Sequence, residues 1–235
     1  MILEWGLILS VTSVSVVMLM IVGEFIAILD ETEQYYSVSQ SKVVLLFSSF
    51  NIAYVIITPF IFNAFNKHYV KGVLISTIAT GVAAVGRYFA GRDYNMSLLM
   101  TAIVAVSHIP IITAPYGLLK LFPDWQKGYA ASIPLFLPVL GINFCILYGM
   151  QYIAAEEDTM KANLLIFEDI DGLNRIIAIA GVISTVSTVI LTLMMKNKIE
   201  KVEEKPKKFE QVNQDHTELE ETVEKTSTEL ESGEL

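Results

Sequence analysis

Six stretches of this chain, near residues 5–29, 43–65, 72–90, 96–119, 128–150 and 176–195, run on with at most one Asp, Glu, Lys or Arg each. A bilayer's hydrocarbon core is about 30 Å thick, and roughly 20 helical residues cross it. No water is available there to bond the backbone, so segments of this length must close their own hydrogen bonds as helices. The sequence therefore predicts an all-α polytopic membrane protein with six transmembrane helices. Composition agrees, at 53% hydrophobic residues and a mean hydropathy of +0.53. The opening MILEWGL has no basic n-region and runs straight into apolar sequence, so the first segment reads as an uncleaved span.

Charge placement orients the spans. Short cytoplasmic loops collect Lys and Arg, whereas acidic residues carry little topological information. Lys67 and Lys71 fall between spans two and three, Lys120 and Lys127 between spans four and five, and six more lysines lie in residues 196–208. The alternate connections hold Lys42, Arg92, Lys161 and Arg175. This asymmetry predicts an integral multi-pass protein with both termini cytoplasmic, assigned to the plasma membrane rather than an organelle. Residues 1–195 form the predicted six-helix bundle and residues 196–235 a charged tail. The first part of the tail, KNKIEKVEEKPKK, suits an anionic leaflet. Its last part, with nine acids against one lysine, has the composition of a disordered segment.

The single cysteine, Cys145, excludes an intrachain disulfide and a cysteine-based metal cluster. The sequence contains no Gly-rich phosphate loop, zinc-ligand spacing or nucleophile elbow. The reading is of a non-enzyme with no catalytic residue, metal or cofactor. No basic surface for nucleic acid is visible, so the expected partners are the lipid bilayer and a small-molecule solute.

Ionisable side chains inside a span are costly unless they face protein or water, which makes each of them a functional candidate. Glu24 and Arg87 fall at matching depth in spans one and three and are expected to pair, with solute or ion contact at Glu24 as the second role. His108 lies near the middle of span four, and its neighbours Ser107 and Pro110 allow a locally unwound backbone. Asn51 and Tyr54, three residues apart in span two, share a helix face and are candidate solute contacts. Gly81, Gly86, Gly141 and Gly149 read as close-packing positions. Prolines 110, 115, 134 and 138 are expected to interrupt spans four and five.

Six spans with both ends inside resemble one half of a twelve-span major facilitator transporter. That superfamily's loop between spans two and three carries Asp, two residues, Gly, one residue and then Arg or Lys. Here the frame holds Asn66, Lys67, His68, Tyr69, Val70 and Lys71, retaining the last basic residue. Further stretches resemble the feline leukaemia virus subgroup C receptor-related branch over about residues 20–150. They are Glu33, Tyr35, Tyr36 and Val38 between spans one and two, and Ala53, Tyr54 and Val55 in span two. Around spans four and five they are Pro115, Leu121, Phe122, Lys127, Ala130, Leu140 and Gly141. The resemblance implies a major-facilitator-type bundle and a cytoplasmic gate at Asn66, Lys67, Lys71 and Lys127; the residues themselves make His108, Asn51, Tyr54 and Glu24 the candidate solute contacts. The branch's cavity-facing Trp and Gln read Val22 and Val139 here, which removes the aromatic face that would hold a quaternary ammonium. A branch Gln in span four reads His108.

The expected function is transport of a small organic solute by alternating access, in a half-transporter or a truncated transporter. One six-helix bundle has no opposite half to rock against, so the chain is expected to pair with itself or with a second six-helix half. The alternative is a transport-inactive membrane scaffold or regulatory subunit built on half a facilitator fold.

Overall fold

The computed structural model describes residues 1–24, 28–148 and 168–201, without the side chains of 62–64, 66 and 67. Seven α-helices occupy these residues: α1 Ile2–Gly23, α2 Leu29–Tyr36, α3 Gln40–Lys67, α4 Tyr69–Ala90, α5 Tyr94–Leu118, α6 Asp124–Tyr148 and α7 Glu168–Lys201. All but α2 are long and apolar enough to cross a membrane, so the protein is an all-α, multi-pass membrane protein with six spans. The chain divides into two units, Met1–Met195 and Lys196–Leu235.

Within the first unit α1 is the central element, with 72% of its most apolar window buried. It packs on α4, α5 and α6. The corresponding figures for α3 and α6 are 11% and 28%, so these helices carry the open faces of the bundle. Apolar attraction between helices is weak in lipid, and close backbone approach through small residues replaces it. A Cβ on Gly141 of α6 would stand 3.0 Å from the Val16 carbonyl of α1. On the α4–α7 contact, a side chain on Gly81 would meet Thr185, and one on Gly181 would meet Ala84. Thr185 also donates to the Thr77 carbonyl across that contact, at 3.3 Å. Gly149 lies outside the described residues.

The turn between α3 and α4 is a single residue, His68. Tyr69, where the facilitator frame has Gly, is buried and donates to the Ala114 carbonyl of α5, fixing the start of α4 to the end of α5. At the same end Trp5 of α1 meets Phe122 edge-on, with centroids 5.1 Å apart. At the other end Asp93 caps α5 by accepting from the backbone N–H groups of Asn95 and Met96, at 2.9 and 3.1 Å.

One expectation from the sequence is corrected. Prolines 110 and 115 do not interrupt α5, nor 134 and 138 α6; both helices run continuously through them. Proline removes one N–H and leaves one carbonyl unbonded, a defect that hydroxyl side chains and neighbouring helices can cover in a membrane. The carbonyls so freed are those four residues before each proline, Val106, Ile111, Ala130 and Pro134. The backbone beside His108 is accordingly helical, not unwound. The connection between spans one and two is itself structured: Leu29–Tyr36 forms α2, with Thr32, Tyr35 and Tyr36 buried.

Candidate functional site

Among the described residues, the polar positions singled out inside the spans gather in two places within the apolar bundle, one at the α2 end and one near the middle of the spans. The first is built on Glu24, the residue that ends α1, and Arg87, in the last turn of α4. The Arg87 Nη2 stands 2.6 Å from Glu24 Oε1, and both side chains are 1% exposed. The guanidinium also donates to Thr101 Oγ1 of α5 at 2.9 Å and to the Tyr36 hydroxyl of α2. Tyr36 in turn donates to Ser97 Oγ, at 3.1 Å, and Thr101 to the Ser97 carbonyl, at 3.0 Å. A planar guanidinium spreads five donors over a rigid fork, whereas a lysine carries three on one nitrogen, so Arg87 can reach acceptors that lie on separate helices. The network joins four helices, and so reads as a structural staple.

Alongside it, Tyr35 donates to Asp171 of α7 while Arg92 lies over the Tyr35 ring, 5.9 Å from its centroid. Burial raises the Tyr35 phenol well above its usual pKa, and the Asp171 carboxylate adds to the shift. Burial raises Tyr36 likewise. Both therefore remain neutral donors at ordinary pH. With Ile28, Val43, Leu46 and Ile170 they form a compact apolar cluster under α2.

The second group is near the midplane. His108 is the fifteenth residue of the 28-residue span Tyr94–Leu121, and Asn51 the twelfth of the 22-residue span Gln40–Ile61. The His108 ring is 8% exposed and is held edge-on by Phe50, at 5.0 Å between centroids, and by Tyr54, at 5.3 Å. Phe50 and Tyr54 are one helical turn apart on α3 and so present one face to α5. His108 Nδ1 has no hydrogen-bond partner among the described residues. Tyr54 is half-buried and Asn51 exposed. The Asn51 amide reaches its own helix only weakly, at 3.5 Å from the Phe47 carbonyl. The result is a histidine, a phenol and a carboxamide along the seam where α3 meets α5, grading from buried His108 to exposed Asn51.

The remaining expected positions do not join either group. Lys127 pairs with Asp124 in the first turn of its own helix, at 2.6 Å. Lys71 is exposed near the start of α4. The side chains of Asn66 and Lys67 lie outside the described residues. Val22 is buried, while Val139 is 52% exposed on α6. Glu24 contacts Arg87, whereas the ring contacts of His108 run to Phe50 and Tyr54.

Phe50 carries an i, i+4 signal with Tyr54 that the sequence reading passed over. Tyr36, Thr101 and Ser97 gave no such signal, because their link to Arg87 is made across helices. Among the described residues no group of three or more His, Cys, Asp or Glu is placed to hold a metal ion. No protein-family model matches this chain, and no curated protein matches it either.

Proposed function

We propose that this chain is one six-helix half of a facilitator-type transporter, moving a small organic solute by alternating access, with Asn51, Tyr54 and His108 on the wall of the solute path. The supporting observation is Asn51, a carboxamide exposed at mid-span on the least buried of the six spans. A carboxamide left without partners in hydrocarbon costs several kcal/mol. The Asn51 face of α3 is thus better matched to a second bundle and a polar cavity than to lipid. His108, buried beside it, adds a polar ring to the same wall.

A thiol at position 51 tests this without knowledge of the solute. In a Cys145→Ala background, Asn51→Cys should react with a membrane-impermeant methanethiosulfonate in intact vesicles, and the solubilised protein should have the mass of a pair of bundles. An unreactive thiol on a strict monomer would favour the transport-inactive scaffold instead. That rival draws on Lys127, whose pairing within its own helix leaves it unlatched to another span.

The reading also places both termini in the cytoplasm, since lysines cluster near the His68 and Leu119–Leu121 turns and over residues 196–208. An N-glycosylation acceptor inserted at Arg92 should be modified, and one at residue 230 should remain bare. Modification at 230 would reverse the orientation.

A further inference from the structure

We propose that the crevice between α3 and α4 at their His68 end holds an acyl chain of an anionic phospholipid from the adjoining leaflet, its headgroup resting on Lys71 and His68. The helices α3 and α4 each pack along α5 but touch one another little beyond their shared turn. The space left between them has a volume of about 570 Å³, within the range of small-molecule sites. Its walls are Ile61 and Phe65 of α3, Gly72 and Ala79 of α4, and Ala102 and Val106 of α5. Ser107, also on the wall, donates its hydroxyl to the Ile103 carbonyl at 2.9 Å, so it makes little polar demand.

Three features fix the occupant. First, the crevice opens sideways: Ile75 and Val106 on its rim are 68% and 38% exposed, so in a membrane it adjoins hydrocarbon. Second, its length suits an acyl chain. From Lys71 to Ala79 a helix rises about 12 Å at 1.5 Å per residue, most of one leaflet's share of a core about 30 Å thick. Third, its mouth is cationic. Lys71 is exposed there with His68 beside it, and the stretch FNKHYVKG contains no acidic residue. Among the described residues no carboxylate pairs with Lys71. Because these residues stand at a helix end, they meet one membrane–water interface whichever way the chain is inserted. Basic pockets between spans recognise anionic headgroups in this manner, with a gain of about fivefold in affinity per lysine.

The site is separate from the Asn51–His108 group, and its test does not depend on transport. The purified chain in detergent is mixed with phosphatidylglycerol or with phosphatidylcholine of the same chains, and bound lipid is read by native mass spectrometry. The wild type should retain phosphatidylglycerol about fivefold better, and Lys71→Gln should bring the two lipids level. Val106→Trp, filling the crevice from its exposed rim, should lower retention of both lipids. Val186→Trp, on an exposed position of α7, should change neither. Equal retention by the wild type, an undiminished preference in Lys71→Gln, or unchanged retention in Val106→Trp would each overturn the proposal.

Discussion

Glu24→Gln and Arg87→Met should each destabilise the bundle by about 3–5 kcal/mol, the usual cost of leaving one partner of a buried ion pair uncompensated. Both side chains are 1% exposed, so neither orphaned charge reaches water. The charge-swapped double variant, Glu24→Arg with Arg87→Glu, should recover much of that loss. A guanidinium at position 24 would sit at the C-terminal end of α1, where the helix dipole favours a cation. A carboxylate at position 87 would find the Tyr36 and Thr101 hydroxyls as donors. Thermal unfolding in detergent, read by tryptophan fluorescence, measures all four proteins. If the swap is as damaging as either single change, the geometry of the Arg87 fork, and not its charge, holds the four helices together.

The pair could be anticipated because depth along a span is a one-dimensional quantity. Counting residues from the span ends put Glu24 and Arg87 at one level, and two opposite charges at one level in hydrocarbon have few other options. The same counting put His108 near the midplane, and glycines 81 and 141 were readable as close contacts because lipid leaves few other means of packing helices.

What faces what around each helix was less accessible, since four of the six spans have no Asp, Glu, Lys or Arg within them to mark a polar side. The i, i+4 relation of Phe50 to Tyr54 is legible in the sequence, but nothing there shows that the pair faces His108. Hydropathy also hides α2, because its segment is too polar to span. Its buried residues nevertheless follow a helical period, Ile28, Thr32, Tyr35 and Tyr36. Their partners could not be read at all, because Tyr35 meets Asp171 across 136 residues. The prolines misled in the opposite direction. Their local rule is strong in water, but neighbouring helices and hydroxyl side chains can take up the freed carbonyls in a bundle.

His108 separates stability from function in a way that one substitution can expose. Its ring packs edge-on against both Phe50 and Tyr54, while its Nδ1 has no partner among the described residues. An unbonded buried polar atom costs about 1–3 kcal/mol. His108→Phe keeps a ring in the same place and removes that cost, so the variant should unfold at the same temperature as the wild type or higher. His108→Ala leaves a cavity against both aromatic rings and should lose about 2–4 kcal/mol. If His108 lies on the solute path, both variants should cut any uptake the wild type supports by tenfold or more, the better-folded one included, because a phenyl ring neither donates nor accepts a hydrogen bond. Uptake measured in proteoliposomes beside melting in detergent gives the two readings together. Full uptake in His108→Phe would make the histidine a packing residue and leave Asn51 and Tyr54 to define the wall.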